Sequence, residues 1–156
     1  MVWEKPHISK IYEALTALAD SRIELLSPQK AKCYSSSDNK FYEIEYDPKS
    51  DSIISNDNSA FYTGSLSYPM IAFLMLTGRI AYEKKLERPL SGIHWKDINQ
   101  KFNNDYDSAV DYVLSRLKDK GVSVDFVRDE IGKIYKIVCS LKLNHLGEKR
   151  LPPKGY

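Results

Sequence analysis

Apolar residues in the segment 95–120 recur at the spacing of two short helices. Trp95, Ile98 and Phe102 lie at i, i+3 and i+7, which places them on one face of a helix. The polar run 103–105 interrupts this pattern, and Asn and Asp favour turns because their side chains hydrogen-bond to nearby backbone groups. A second apolar face begins after this run and stops before a glycine, as helices commonly do. The pattern predicts helix, turn, helix.

The residues that follow predict a β-hairpin. Val122, Val124 and Phe126 alternate with polar residues, as in a half-buried strand. The segment 129–132 ends in glycine and supplies a turn. Ile134–Leu141 is rich in β-branched residues and predicts the returning strand.

Two helices followed by a hairpin, in this order, resemble a winged helix-turn-helix domain over Trp95–Leu141. In that family the second helix enters the major groove of DNA. The resemblance implies a transcription-regulator-like DNA-binding protein, with Tyr68–Lys85 as the first helix of the domain. A general α+β packing of the same elements is the alternative.

The N-terminal part predicts a helix followed by an antiparallel β-meander. The apolar positions of Ile8–Ala19 trace an amphipathic helix. The segments Ala31–Ser36 and Phe41–Tyr46 have the pattern of two hairpin arms, joined through residues 37–40. A short strand at Ile53–Ile54 extends the pair into a meander.

A helix that is apolar on nearly all sides connects the two halves. Met70–Leu76 has no polar face, so it should be buried on more than one side. Pro69 stands where the first helical residue is favoured. The predicted fold class is therefore α+β, with the N-terminal helix and meander packed on this buried helix and a winged helix-turn-helix after it. The predicted units are an N-terminal helix and meander at 1–67, a winged-helix-like domain at 68–145 that shares helix 68–85 with the first unit, and a basic tail at 146–156.

The tail contains Pro152 and Pro153, which block regular structure, so it is predicted to be disordered. The alternative is an electrostatic arm for phosphate or an acidic partner.

A hairpin, a loop and an apolar helix over Ala31–Leu76 also resemble the SWIM zinc domain. In that family two cysteines leave the hairpin and a Cys-x-His pair opens the helix. The corresponding places fall near Ser55, Asp57, Ser67 and Pro69, none of which supplies a thiolate or an imidazole. The resemblance implies a metal-free relative with a role in binding DNA or proteins. A coincidental layout of common elements is the alternative.

Composition excludes few classes of function. The 156 residues include 23 basic and 21 acidic ones, and a net charge of +2 does not by itself imply nucleic acid, membrane or acidic substrates. Cys33 and Cys139 match no disulfide or metal motif, so we expect two buried free thiols in a reducing cytoplasm. The longest apolar run is far too short to span a bilayer. No cofactor is predicted.

The charges on the predicted winged helix do not decide whether its ligand is DNA or a protein. The second helix presents Asp107 and Asp111, which repel phosphate, although neutralised phosphates supply most of the free energy of DNA binding. An acidic helix suits a protein partner or a homodimer equally well, so DNA binding and protein interaction both remain open. The candidate nucleic-acid contacts are the basic, hydroxyl and aromatic side chains Lys96, Lys101, Ser108, Tyr112, Ser115, Arg116, Lys118, Arg128, Lys133 and Lys136.

Catalytic and metal-binding patterns are weak. His7, His94 and His145 are scattered and lack the spacing of a metal site. Glu43 and Glu45 lie on one strand face, where a solvated surface is the simpler interpretation than an acid and base pair. The sequence therefore favours a binding protein without catalytic activity and without a metal.

Overall fold

A computed structural model describes residues 1–37 and 39–154 and confirms the α+β class. A 3₁₀ helix at Lys84–Leu86 lies between the third and fourth α-helices. The other elements, in chain order, are α1 (Ser9–Ala19), β1 (Ile23–Ser27), β2 (Lys30–Tyr34), β3 (Phe41–Asp47), β4 (Ser52–Ser55), α2 (Asn58–Tyr62), α3 (Tyr68–Leu76), α4 (Trp95–Lys101), α5 (Tyr106–Asp119), α6 (Val124–Ser140) and β5 (Asn144–His145).

The sheet has five strands in the order β1-β2-β3-β4-β5. The first four form an antiparallel meander, and β5 pairs parallel to β4. Cys33 lies opposite Tyr42 and Ala31 lies opposite Ile44, which confirms the predicted hairpin and its alternation. Asp38 of the predicted turn lies outside the described residues. Strand β1 was not predicted because only Ile23 of it is buried, which leaves no alternating pattern to read.

Helix α3 packs between the sheet and α1, as its uniformly apolar sequence predicts. Met70, Phe73 and Leu74 are fully buried. The predicted continuation of this helix to Lys85 is wrong. Gly78 follows Leu76 closely with φ of +83°, and a residue in this left-handed conformation ends a helix.

The predicted wing is wrong, because the two expected strands are a single helix, α6. Val127, Ile131, Ile134 and Val138 are buried at i, i+4, i+7 and i+11, and this helical period prevails over the β-branched composition. Ser123 caps the helix by accepting a hydrogen bond from the backbone N–H of the residue three positions on. Helices α4 and α5 confirm the two helices predicted before it, but they lack the hairpin of a winged helix.

Buried apolar side chains form one cluster that runs from Trp3 to Leu143. Helix α1 contacts α3 on one side and α5 and α6 on the other, so it lies between the sheet and the C-terminal helices. Within the described residues, every helix is too short or too polar to cross a membrane.

The start of the C-terminal tail lies against the sheet. The Leu146 N–H donates to the Ile53 carbonyl oxygen at 3.1 Å. Arg150 Nη2 is 2.8 Å from Glu45 Oε2, which corrects the interpretation of this carboxylate as a purely solvated group. Residues 155 and 156 of the predicted tail lie outside the described residues.

Candidate ligand-binding cleft

A cleft of about 300 Å³ opens between the sheet and the helices α1, α4 and α5. Several buried polar side chains line its walls, and a concave site with a few convergent polar groups is the first place to look for a ligand. The side chains that decide its chemistry are Lys10, Glu13, Arg22, Asp57, Trp95 and Asn99.

Helix α1 supplies a buried ion pair to the cleft. Lys10 and Glu13 lie at i and i+3, so both project from one face of the helix, and Nζ is 2.8 Å from Oε2. Burial alone would lower the pKa of Lys10, but the adjacent Glu13 carboxylate outweighs it and raises this pKa above its ordinary value. The ammonium group also lies 4.2 Å from the centre of the Tyr106 ring. The two charges therefore largely neutralise each other.

Asp57 joins the beginnings of two helices. Its carboxylate caps α2 by accepting a hydrogen bond from the Ala60 N–H at 2.9 Å. It also accepts a hydrogen bond from the Ser67 hydroxyl, the residue before α3, at 2.5 Å. Asp57 and Ser67 are buried, and they are two of the four residues at the places matched to SWIM zinc ligands. Within the part of the chain that the structure describes, no three His, Cys, Asp or Glu side chains are arranged to hold a metal ion.

Arg22 is the notable charge of the cleft. The chain turns at Ser21, whose φ is +54°, and Arg22 then enters the wall at the start of β1. It is only 7% exposed. One guanidinium nitrogen donates to the Tyr34 carbonyl oxygen at 2.8 Å, and the group lies 5.8 Å from the Tyr68 ring centre. Among residues 1–37 and 39–154, no carboxylate oxygen lies within 4 Å of it.

The α4 side of the cleft holds a rigid aromatic wall and an unpaired amide. Trp95 Nε1–H donates to Thr16 Oγ1 at 2.9 Å, and the Thr16 hydroxyl donates to the Leu90 carbonyl oxygen at 2.6 Å. Asn99 lies one turn further along the same face and is 7% exposed. Its Oδ1 is buried without a hydrogen-bond partner among the described residues. Buried polar atoms of this kind are uncommon and call for an explanation.

The two cysteines differ in their surroundings. Cys33 is fully buried on β2, and burial raises the pKa of its thiol to about 12, so the thiol stays protonated. Cys139 is half-buried on α6. Both are free thiols, but only Cys33 is the fully buried residue that the sequence predicted.

The predicted nucleic-acid contacts do not share one surface. Lys96 lies at the cleft. Lys101 and Arg116 flank the half-buried Tyr112, with Lys101 Nζ 4.3 Å from the ring centre and Arg116 Nη1 3.0 Å from the hydroxyl. Ser108 lies in the first turn of α5, where its N–H donates to the carboxylate that caps the helix.

A second group of these contacts borders a groove between α5 and the start of α6. Ser115, Lys118 and Arg128 line this groove together with Asp111 and Asp125. Carboxylates therefore alternate with the cations, which weakens the attraction for phosphate.

The remaining predicted contacts lie on α6, on a helix instead of a hairpin tip. Lys133 Nζ is 2.9 Å from Glu130 Oε1. Lys136 is exposed on the same helix. No loop carries the cations that were assigned to a wing.

The histidines lie outside the described lining of the cleft. His7 Nε2 is 2.9 Å from Asp107 Oδ1, while its Nδ1 accepts a hydrogen bond from the Ser9 N–H, so the proton is on Nε2. The His145 ring stacks on Trp3 at 3.7 Å, and burial lowers its pKa.

Sequence reasoning missed the cleft residues because each one looks ordinary in its own segment. The available signal was the presence of charged side chains on a helix whose other faces are apolar, as in α1, where Glu13 is buried together with its apolar neighbours. Arg22, Asp57 and Asn99 belong to three further segments, and only the fold brings them to one cavity.

A comparison with family models matches residues 3–144 to the family described as Uncharacterised conserved protein UCP014422. The match includes all the segments that form the cleft. Neither the curated proteins nor the solved structures contain a match to this chain. Since the matched region covers most of the 156 residues, the chain belongs to the Uncharacterised conserved protein UCP014422 family.

Proposed function

We propose that the protein is a non-enzymatic binding protein that holds a small anionic molecule in the cleft. Arg22 carries this proposal. Its guanidinium is buried at the cleft wall, and no carboxylate of the described residues lies within 4 Å. A buried charge without a counter-ion is unfavourable. An anionic ligand would compensate it, because the planar fork of arginine matches carboxylate and phosphate oxygens.

The other charges of the cleft favour an anion over a cation. Lys10 and Glu13 pair with each other, and the Asp57 carboxylate accepts two hydrogen bonds from the protein. Arg22 is the buried cleft cation without an ion-pair partner within 4 Å among the described residues, and its N–H groups favour a ligand that accepts hydrogen bonds.

Binding without catalysis is consistent with the side chains available. The Cys33 thiol is protonated, since burial raises its pKa to about 12. Glu13 is tied to Lys10, so it is poorly suited to act as a free general base. Free thiols at Cys33 and Cys139 support a cytoplasmic location, where disulfides rarely persist.

The test is thermal unfolding with a panel of phosphate- and carboxylate-bearing compounds of graded size. At least one compound should raise the melting temperature of the wild-type protein, because a ligand that binds only the folded state stabilises it. Arg22→Met should lose this shift and Arg22→Lys should retain only part of it. The matched control is Arg79→Met, which removes an arginine paired with Asp51 outside the described lining of the cleft and should keep the full shift.

Circular dichroism of each variant shows whether it is folded before binding is compared. The proposal fails if no compound in the panel shifts the wild-type protein. It also fails if folded Arg22→Met responds as strongly as the wild type.

A second candidate function is nucleic-acid contact through the Tyr112 patch, which we define as Lys101, Tyr112 and Arg116. One observation favours it: two cations flank a partly exposed ring, as in surfaces that combine phosphate contacts with base stacking. The hydrogen bond from Arg116 also lowers the pKa of the tyrosine hydroxyl.

Fluorescence anisotropy with labelled single- and double-stranded oligonucleotides over a salt series tests this candidate. Replacing Lys101 and Arg116 by Gln should weaken binding and reduce the salt slope by about one per lost phosphate contact. Lys133→Gln is the control, since Lys133 is paired with Glu130 on another helix. Absence of binding at low salt would exclude the candidate. The alternative of a protein-interaction or dimerisation module stays a prediction.

A further inference from the structure

A second concavity, of about 290 Å³, opens between the segment 89–94 and the helices α4 and α5, and we call it the α4–α5 groove. Apolar side chains form its floor. Val113 and Leu117 are buried there, and Ile93 and Ile98 are half-buried. None of the described residues lines both this groove and the cleft, because the two use different faces of α4. The groove is therefore a separate candidate site.

Hydrogen bonds to α1 fix one wall of the groove, the segment 89–94. The Thr16 hydroxyl donates to the Leu90 carbonyl oxygen at 2.6 Å, and the Gly92 N–H donates to Asp20 Oδ1 at 2.8 Å. The φ of Gly92 is +71°, a conformation that glycine adopts without strain. A wall held in this way is formed before a partner arrives, which lowers the entropic cost of binding.

The α5 rim of the groove is cationic. Tyr112, Arg116 and Lys120 follow one another at four-residue intervals, so they form a row along α5 and its C-terminal cap beside the apolar floor. Arg116 Nη1 is 3.0 Å from the Tyr112 hydroxyl, which holds the guanidinium at the rim. Both cations are exposed, and no carboxylate oxygen of the described residues lies within 4 Å of either one. Their charge is therefore available to a partner.

The α4 side of the groove carries less charge of the opposite sign. Asp97 is the one carboxylate among the described lining residues, and it lies in the first turn of α4, where a negative charge is favourable. His94 beside it is neutral or positive. Lys101 Nζ lies 4.3 Å from the Tyr112 ring centre and adds a third cation next to the rim. The net charge around the groove is therefore positive.

The apolar floor and the cationic rim together define the partner. A large apolar side chain would displace water from the floor, and carboxylates on either side of it would meet Arg116 and Lys120. A nucleic acid would use the cations but would leave the floor in water, because its phosphates and sugars are polar. The volume of about 290 Å³ suits a side-chain anchor instead of the surface of a whole domain, as in grooves that bind peptide segments.

We infer that the α4–α5 groove binds a short acidic peptide segment of a partner protein, which places a large apolar side chain on the floor and carboxylates at Arg116 and Lys120. This inference is independent of anion binding in the cleft. The groove shares Arg116 with the Tyr112 patch, so the experiment must also separate a peptide from a nucleic acid.

Fluorescence anisotropy with labelled peptides tests the inference. The probes have the sequence Asp-Glu-Asp-Xaa-Xaa-Glu-Asp-Glu, in which the central pair is Leu, Phe or Trp. At least one probe should bind the wild-type protein at low salt with a Kd of about 100 μM or tighter. The matched peptides carry Ser in the central pair, or Lys in place of every acidic residue, and both should bind about tenfold or more weakly.

Variants of the floor and of the rim assign the two contacts. Ile93→Ser removes apolar surface from the floor and should weaken peptide binding about tenfold. The double variant Arg116→Gln and Lys120→Gln should weaken it about fivefold and reduce its salt dependence. Lys118→Gln is the matched control, because Lys118 is exposed on α5 outside the described lining of the groove, and it should bind as the wild type does. Circular dichroism shows whether each variant is folded.

The inference fails if no probe binds, or if the folded floor and rim variants bind as tightly as the wild type. If a labelled single-stranded oligonucleotide binds more tightly than every peptide and is unaffected by Ile93→Ser, the rim serves nucleic acid and the inference is wrong. If octanoate binds as tightly as the best peptide, a free amphiphile is the better match and the inference is also wrong. If Arg22→Met abolishes peptide binding and the rim variant keeps it, the peptide lies in the cleft, which overturns this inference and supports the proposed function.

Discussion

Thr16 links three segments through one buried hydroxyl. Its Oγ1 accepts a hydrogen bond from Trp95 Nε1–H at 2.9 Å and donates to the Leu90 carbonyl oxygen at 2.6 Å. Thr16 and Leu90 are fully buried and Trp95 is 2% exposed, so water cannot replace the hydroxyl. The Thr16 hydroxyl therefore joins helix α1, the segment before α4 and the cleft wall through two buried hydrogen bonds.

Thr16→Val keeps the shape of the side chain and removes this contact. The Trp95 N–H and the Leu90 carbonyl would both be left buried and unpaired, and each unpaired group costs roughly 1–3 kcal/mol. We expect the free energy of unfolding to fall by about 2–6 kcal/mol. For a protein of this size the melting temperature should then fall by roughly 4–24 °C. Thr16→Ser retains the hydroxyl and should lose distinctly less.

Urea unfolding followed by tryptophan fluorescence and circular dichroism measures the change. Thr63→Val is the matched control, because Thr63 donates to the Ser59 carbonyl oxygen at 2.6 Å on an exposed helix end. There water replaces the lost partner, and the expected change is within about 0.5 kcal/mol. A loss in Thr16→Val below about 1 kcal/mol, or no larger than in the control, would refute the reasoning.

Three further predictions test the helix α6, the tail and the core. Gly132→Ala should raise the free energy of unfolding by about 0.5–1 kcal/mol in a denaturant titration, since Gly132 lies inside α6 with open space around it. Gly121→Ala should lower the free energy of unfolding, because Gly121 has φ of +83°. The opposite order of the two effects would argue against the helix α6. The Arg150 hydrogen bond lowers the pKa of the Glu45 carboxyl, so its stabilisation is present above the ordinary glutamate pKa and is lost as the pH falls through the lowered value. Arg150→Gln should raise this pKa in an NMR titration, and an unchanged pKa would mean that the pair does not form in solution. Phe73→Ala removes a fully buried ring from α3 and should cost about 3–5 kcal/mol in urea unfolding, while a cost near 1 kcal/mol would contradict its central place in the core.

The local sequence pattern was sufficient to predict the elements whose structure depends mainly on their own residues. Helices α4 and α5 follow from apolar spacing interrupted by polar residues, and Asp105 caps the second one as its sequence suggests. The hairpin of β2 and β3 follows from alternation that matches the observed register. These signals span a few residues and depend little on distant parts of the chain.

Tertiary structure decided the conformation of segments whose local signals conflict, and it decided which distant segments meet. In α6, Val124 and Phe126 fit an alternating strand, but burial of Ile131 and Ile134 against the core favours the helical period. The cleft combines Arg22 with Asn99, side chains 77 positions apart in the sequence, and its chemistry arises from their joint burial. Neither residue has a local partner that reveals its role, because burial and unmet hydrogen-bonding capacity are properties of the folded chain alone.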